Sequence, residues 1–136
     1  MGTRWAAALI VLGVSIPAWA IDTEGNYITR GIGTEVCSSY NSARDEHRDT
    51  EFTGWLAGYL SGFNRWTSGV YDIEGTGGFE GARQWLDYYC HVHPQLPFSL
   101  AVEALVAFLY PSRAQNAPAP GAAARGPSFG SSSPPP

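Results

Sequence analysis

The chain has 136 residues, of which 44% are hydrophobic and 15% charged, and its formal net charge is −4. This length accommodates one small globular domain with appended segments and excludes a large multidomain enzyme. All eight basic residues are arginine, which excludes chemistry that needs a lysine, such as a phosphate-binding loop or a Schiff base. Because a negative net charge repels phosphate backbones and anionic lipids, we expect no nucleic-acid partner.

Residues 1–20 have the pattern of a secretory signal peptide. Arg4 precedes an apolar run, and the triplet Ala-Trp-Ala at 18–20 supplies the small residues of a cleavage site. An uncleaved anchor is the alternative, but the run of about 12 apolar residues falls short of the roughly 20 that cross a bilayer. We therefore expect a mature chain that begins at Ile21, has no membrane span and is periplasmic or secreted.

Residues 21–113 are predicted to form one all-α domain, a small bundle of about four helices. No segment alternates polar and apolar residues for long enough to make a sheet. Val36 and Tyr40 indicate a short first helix, with Thr34 as its expected N-cap. A polar run separates it from the second helix, for which Thr50 is the expected N-cap.

The second helix carries the clearest pattern in the chain, an aromatic stripe with steps of three and four residues. Aromatic residues at helical spacing usually belong to a core, and the alternative is a groove or surface for a partner. The members of the stripe are Phe52, Trp55, Leu56, Tyr59, Leu60, Phe63 and Trp66.

A glycine strip lies beside this stripe, with Gly54, Gly58 and Gly62 at four-residue spacing. Three glycines inside a helix cost about 2–3 kcal/mol relative to alanine. We predict that another backbone packs closely against the strip and offsets this cost. That backbone belongs either to the same chain, which is the expected case, or to a second copy in a homodimer.

Two further helices follow a glycine-rich loop at 75–78. Apolar residues between Phe79 and Cys90 mark the third helix, which ends before Pro94. The fourth begins near Pro97 and ends at Pro111, and its wide apolar face predicts a central position in the bundle.

Residues 114–136 are predicted to form a disordered tail. Nineteen of these 23 residues are Ala, Gly, Pro or Ser, and Phe129 is the one large apolar side chain among them. Such a composition cannot offset the entropy lost on ordering. A docking peptide or a spacer is the functional alternative for a Pro-rich segment of this kind.

The two cysteines, Cys37 and Cys90, predict a disulfide, because an even count in an oxidising compartment favours pairing. Closing a loop of 53 sequence steps (90 − 37) stabilises a fold by roughly 4 kcal/mol in the chain-entropy model. The alternative is a reactive Cys90 thiol activated by His91, which leaves Cys37 without a role.

No metal or cofactor site is predicted. The Cys-His-x-His cluster at 90–93, together with His47, has the residue types of a zinc or copper site, but the disulfide removes one ligand. Residues 72–77 imitate the opening of a calcium loop, yet Arg83 stands where that loop needs a bidentate carboxylate. Helix-dipole contacts and loop capping account for these residues instead.

The sequence predicts a non-enzymatic protein. Residues 58–62 read Gly-Tyr-Leu-Ser-Gly, which lacks the spacing of a nucleophile elbow, and a helical bundle of this composition offers few polar groups that converge. Charge is more informative. From Tyr27 to Ser112 there are five Arg, ten acidic residues and three His, so the net charge changes from −5 near neutral pH to +8 in strong acid. This change predicts an acid-labile fold, which is either used as a switch or is ordinary acid lability.

Residues 34–110 resemble two groups of small periplasmic helical proteins with disulfides. The first is the Hde-type acid-stress chaperones, and the second is the Rap/Tai-type immunity proteins, which neutralise peptidoglycan-attacking effectors of type VI secretion. The resemblance is carried by Cys37, Trp55-Leu56-Ala57-Gly58-Tyr59-Leu60-Ser61-Gly62, Trp85-Leu86-Asp87-Tyr88-Tyr89-Cys90, Pro94 and the final Ala- and Leu-rich helix.

The resemblance to the Hde-type chaperones implies a dimer near neutral pH that partly unfolds in acid and shields client proteins. It implies that Cys37 and Cys90 form the disulfide and that the aromatic stripe supplies the client-binding surface. Two features depart from this group, the absence of lysine and the presence of a Gly-rich loop and a Pro-rich tail. Rap/Tai-type proteins often have a second disulfide, for which this chain lacks cysteines.

We expect a protein that acts by contact with other proteins, either unfolded clients or one secreted effector. The expected function is that of an Hde-like acid-stress chaperone. A Rap/Tai-type immunity protein is the first alternative, and a structural envelope protein is the second. The candidate partner or packing surface consists of Phe52, Trp55, Gly58, Tyr59, Gly62, Phe63 and Trp66.

Overall fold

Four α-helices joined by short turns make up residues 22 and 24–119, the part of the chain that this computed structural model describes. Helix α1 spans Cys37–Asp45, α2 Thr50–Trp66, α3 Gly78–Val92 and α4 Phe98–Leu109. Short 3-10 turns occupy Gly31–Thr34, Gly75–Gly77 and Tyr110–Ser112. Over the described residues β structure is limited to two isolated bridges, so the predicted all-α bundle is confirmed. The predicted signal peptide and tail residues 120–136 lie outside the described residues.

Helix α4 forms the centre of the core. Its buried side chains cover one wide face of the helix, because the apolar residues follow one another with only small gaps. They are Phe98, Ser99, Ala101, Val102, Leu105 and Val106. The wide apolar face predicted this central position.

A disulfide between Cys37 and Cys90 joins the start of α1 to the last turns of α3. The two Sγ atoms are 2.09 Å apart, the Cα atoms are 4.8 Å apart, and both residues are fully buried. The predicted pairing is therefore confirmed, and it fixes the faces with which α1 and α3 meet.

The start of α1 differs from the predicted cap. The Thr34 hydroxyl donates to the Gly31 carbonyl at 2.9 Å, within the preceding 3-10 turn. The first amides of α1 donate instead to backbone carbonyls of the α3–α4 connection, Cys37 to Leu96 and Ser38 to Pro94, both at 2.8 Å. A distant segment thus satisfies the donors that an N-cap side chain would otherwise take.

The N-terminus of α2 begins one residue away from the expected cap. Thr50 is the first helical residue, and Asp49 precedes it. The Asp49 carboxylate accepts a hydrogen bond from the Thr53 hydroxyl at 3.0 Å, and the Asp49 carbonyl accepts one from the Thr53 amide at 2.9 Å. An acidic group at this position also interacts favourably with the helix dipole.

The C-terminal end of the domain is pinned to the loop that follows α2. The Ala114 amide donates to the Asp72 carbonyl at 2.8 Å, and the Asp72 amide donates to the Ala114 carbonyl at 3.1 Å. A side chain at Gly75 would meet the Ser112 carbonyl oxygen at 2.7 Å, and its φ of +55° lies in the region that favours glycine. The close approach of these two segments therefore requires glycine at this position.

Candidate functional site

The most connected polar group of the domain is an ion network where α1, α3 and the start of α2 meet. We define the network as Tyr40 and Arg44 of α1, Asp49 before α2, and Arg83 and Asp87 of α3. The network lies next to the disulfide, because Cys37, Tyr40 and Arg44 share one face of α1, and Cys90, Asp87 and Arg83 share one face of α3.

Asp87 accepts three hydrogen bonds from α1. Arg44 donates in bidentate fashion, from Nε to Oδ1 at 2.8 Å and from Nη2 to Oδ2 at 2.6 Å. The Tyr40 hydroxyl donates to Oδ1 at 2.6 Å. Bidentate Arg–carboxylate pairs combine charge with fixed geometry, which makes them stronger than neutral hydrogen bonds.

Asp49 connects both arginines to α2. Its Oδ2 accepts hydrogen bonds from Arg83 Nη2 at 2.9 Å, from Arg44 Nη1 at 3.3 Å and from the Thr53 hydroxyl at 3.0 Å. Arg83 also donates to Glu80 at 3.0 Å. The side chains of Asp49 and Arg83 are only 15% and 21% exposed, so solvent screens this contact less than an ordinary surface ion pair.

The pKa values of the two aspartates of the network are lowered, although burial alone would raise them. Burial alone would raise the pKa of Asp87, but hydrogen bonds from Arg44 and Tyr40 and the charge of Arg83 outweigh it and lower the pKa below 3.8. Burial would likewise raise the pKa of Asp49, and hydrogen bonds within and after the turn, together with both arginines, lower it. The hydrogen bond to Asp87 raises the pKa of Arg44, so this guanidinium stays charged.

We expect Asp87→Asn to lower the free energy of unfolding by about 2 kcal/mol at pH 7, since charged hydrogen bonds are lost at a partly exposed site. Because the folded-state pKa of Asp87 is lowered, this contribution is present above the unfolded value and disappears as the pH falls through the folded value. Urea unfolding from pH 7 to pH 2.5 measures both effects. Asp45→Asn is the control, since Asp45 is an exposed carboxylate at the end of α1, and an equal loss in both variants would contradict the assignment.

A cleft of about 390 Å³ lies over the network, with His47 and His91 in its wall. Its other lining residues are Asn41, Arg44, Asp45 and Asp87. His93 stands apart from this cleft and packs against Tyr89, with ring centroids 4.5 Å apart. Among the described residues no group of three or more His, Cys, Asp or Glu side chains is arranged to hold a metal ion.

The predicted aromatic stripe of α2 divides between the core and the surface. Phe52, Leu56 and Leu60 are buried, and Trp55, Tyr59 and Phe63 are partly buried and pack against the core. Trp66 is 82% exposed. The stripe is therefore mainly core, and the last turn of α2 presents an aromatic ring to solvent.

The predicted close packing against the glycine strip within the chain is wrong. A Cβ added at Gly54, Gly58 or Gly62 would have no atom of the described chain within 4 Å outside the helix itself. The close approach occurs at Gly33, where a Cβ would overlap the indole ring of Trp55. The homodimer alternative for the strip stays a prediction.

A second surface, which sequence reasoning missed, is an aromatic ladder on the outer side of α3 and α4. The ladder consists of Phe108, Trp85, Tyr89 and His93. Trp85 stacks on Tyr89 at 4.6 Å and on Phe108 at 5.4 Å between ring centroids. Phe108 is 61% exposed, and Tyr88 beside the ladder is 73% exposed. The spacing of Trp85 and Tyr89 would place them on one face of α3, but the pairing with α4 required the fold.

No protein-family model, curated protein or solved structure matches this chain. The helices of the described residues include none with the length and apolar character of a membrane span. A disulfide-bonded helical domain with these properties is compatible with a location outside the cytoplasm.

Proposed function

We propose that this protein is a non-enzymatic, acid-activated chaperone of the periplasm, similar in action to the Hde-type proteins that its sequence resembles. In this proposal the bundle is closed near neutral pH and opens in acid. The opened form then binds unfolded proteins through apolar side chains. The observation that carries the proposal is the ion network, because the two acceptors that join its elements, Asp49 and Asp87, are carboxylates that lose their charge in acid.

Protonation removes the network in strong acid. Above the unfolded pKa, Asp49 and Asp87 are charged and hold Arg44 and Arg83. As the pH falls through their lowered folded values, the carboxylates become neutral and the stability that they contribute is lost. Arg44 and Arg83 then face neutral partners, and the formal net charge from Tyr27 to Ser112 reaches +8.

Two other carboxyl groups have the opposite effect on stability. Burial raises the pKa of Glu103, and burial and the charge of Asp72 raise the pKa of Glu74. A raised folded pKa means that protonation favours the folded state, so this contribution grows as the pH falls through the raised value. We therefore expect maximal stability at mildly acidic pH and a loss of stability as the pH falls from about 4, the usual pKa of an aspartate, through the lowered folded values.

An acid titration of the chain from Ile21 onward tests the proposal. Circular dichroism, apolar-dye binding and suppression of aggregation of an acid-sensitive periplasmic protein are followed in one preparation. We expect dye binding and client protection to rise together below about pH 4, and Asp49→Asn to move this transition to higher pH. The variant Asp45→Asn should leave it in place. A chain that opens but protects no client would contradict the proposal.

The alternative proposal is an immunity protein of the Rap/Tai kind, which binds one secreted effector near neutral pH. The observation that favours it is the aromatic ladder, because Phe108 and Tyr88 are exposed in the folded bundle and need no opening. Such a protein would form a tight complex with its effector at pH 7, and Phe108→Ala would weaken that complex although it lowers the stability of the bundle only slightly.

A further inference from the structure

The four helices are attached to the bundle in different ways. Helix α1 is tied to α3 by the disulfide, and α4 buries six of its 12 residues. Helix α2 is the longest, with 17 residues, but it buries only three of them, Phe52, Leu56 and Leu60. The disulfide ties α1 and α3 to each other, whereas α2 is attached only by non-covalent contacts.

The outer side of α2 is open along the glycine strip. In the described chain no atom outside the helix would lie within 4 Å of a Cβ at Gly54, Gly58 or Gly62. Glycine is a poor helix former, because it loses more backbone freedom on folding than other residues. Once its buried face loses support, α2 has little intrinsic tendency to remain helical.

Asp49 is the polar tie at the N-terminal end of α2. The titratable and charged groups that surround it and Asp87 come from every neighbouring element: Tyr40, Arg44 and Asp45 from α1, His47 from the turn, and Glu80, Arg83 and His91 from α3. When the aspartates become neutral, Arg44 and Arg83 lose their charged partners. The repulsion between α1 and α3 is restrained by the disulfide, whereas α2 has lost its tie.

The turn before α2 and the contacts at its far end define how it can move. His47 in that turn has a φ of +55°, a conformation that is unfavourable for a residue other than glycine. At the other end, the Asn64 side chain accepts a hydrogen bond from the Ile73 amide at 2.8 Å, and Phe63 packs on Tyr110. Neither contact involves a group that changes its charge in acid, so the C-terminal turns of α2 stay attached to the bundle.

We propose that acid detaches the N-terminal part of α2 while α1, α3 and α4 stay folded, and that the uncovered surface binds apolar segments of unfolded proteins. This inference rests on the proposed function and specifies its binding surface. The surface is centred on Phe52 and Leu56 of α2 and on Phe98 and Tyr40, which pack against them. The ring centroids of Phe52, Phe98 and Tyr40 lie 4.9–5.4 Å from one another. All four side chains are buried in the closed bundle, and release of this part of α2 would expose Phe52 and Leu56 on the helix and Phe98 and Tyr40 on the remaining core.

Hydrogen exchange at pH 3, followed by mass spectrometry on the chain from Ile21 onward, tests the release. We expect amides of residues 50–60 to lose protection while those of α3 and α4 keep it. Gly58→Ala should raise the protection of α2 about five-fold, as the difference in helix propensity predicts. The control Gly81→Ala has equally open surroundings on α3 and should leave α2 amides unchanged.

Three results would overturn the release of α2. Equal loss of protection in all helices, or an equal gain in α2 from both glycine variants, would mean that the bundle opens as a whole. Lower protection in Gly58→Ala would mean that a second copy packs on the strip.

A photoreactive apolar dye separates this inference from the proposed function. We expect acid labelling in peptides that contain Phe52 and Phe98, and labelling confined to the outer ladder at Phe108 would overturn the proposed surface. If α2 is released and labelled but no client is protected, the proposed function fails and the release stands. If clients are protected while all helices exchange alike, the function stands and this inference fails.

Discussion

Replacing both cysteines with alanine should lower the free energy of unfolding at pH 7 by about 4 kcal/mol. The disulfide between Cys37 and Cys90 closes a loop with a sequence separation of 53, and its loss gives the unfolded chain more freedom. Both residues are fully buried, and alanine leaves no unpaired polar group at either position. Since domains of this size have total stabilities of about 5–15 kcal/mol, this change removes a large share.

Urea unfolding of the double variant beside the wild type measures this effect, with the wild type in reductant as a second comparison. Both forms without the disulfide should unfold at lower urea concentration, and their acid transitions should move to higher pH. A loss below about 1 kcal/mol would show that the bundle does not depend on the disulfide.

Phe98→Ala should lower the free energy of unfolding by about 3–5 kcal/mol, the range for a large side chain removed from a tight core. Phe98 is fully buried at the start of α4. Its ring lies 4.9 Å from Tyr40, 5.0 Å from Phe52 and 5.9 Å from Trp55, measured between centroids. The substitution leaves a cavity where α1, α2 and α4 meet.

Phe108→Ala is the matched control, because it removes the same side chain from the same helix at a position that is 61% exposed. Its ring stacks on Trp85, and loss of that contact should cost only about 0.5–1.5 kcal/mol. Thermal unfolding at pH 7 compares the two variants. Equal destabilisation would contradict the central position of Phe98.

Much of the fold could be predicted from local periodicity. Apolar spacing placed α2, α3 and α4 close to their observed bounds, and the two cysteines permitted only one pairing within the chain. The start of α1 was missed because its amide donors bind the carbonyls of Pro94 and Leu96. A contact with so distant a segment leaves no mark on the sequence around Thr34.

More of the ion network could have been predicted from the sequence. With Cys37 paired to Cys90, helical spacing brings Tyr40 opposite Asp87 and Arg44 close to Arg83. The polar run that contains Arg44 and Asp49 instead gave the impression of a solvated connection. Only the fold shows that this run turns inward and supplies the acceptor that joins α2 to both arginines.

The glycines show the same limit. A glycine strip predicts close packing against another backbone, and one sequence does not show whether that backbone belongs to the same chain or to a second copy. The close approach lies at Gly33, which packs against the indole of Trp55, while Gly58 faces open space in the described chain. The helical spacing of the strip favoured close packing within the chain, which is wrong for the described residues, and packing against a second copy stays a prediction.

The most direct test of the central claim is the suppression of client aggregation as a function of pH. The chain from Ile21 onward is mixed with an acid-sensitive periplasmic protein and held between pH 7 and pH 2, and light scattering is recorded during acidification and on return to neutral pH. We expect no protection at pH 7 and strong protection below about pH 4, with the onset moved to higher pH in Asp49→Asn. Protection that is absent at every pH, or equal at pH 7 and pH 3, would contradict it.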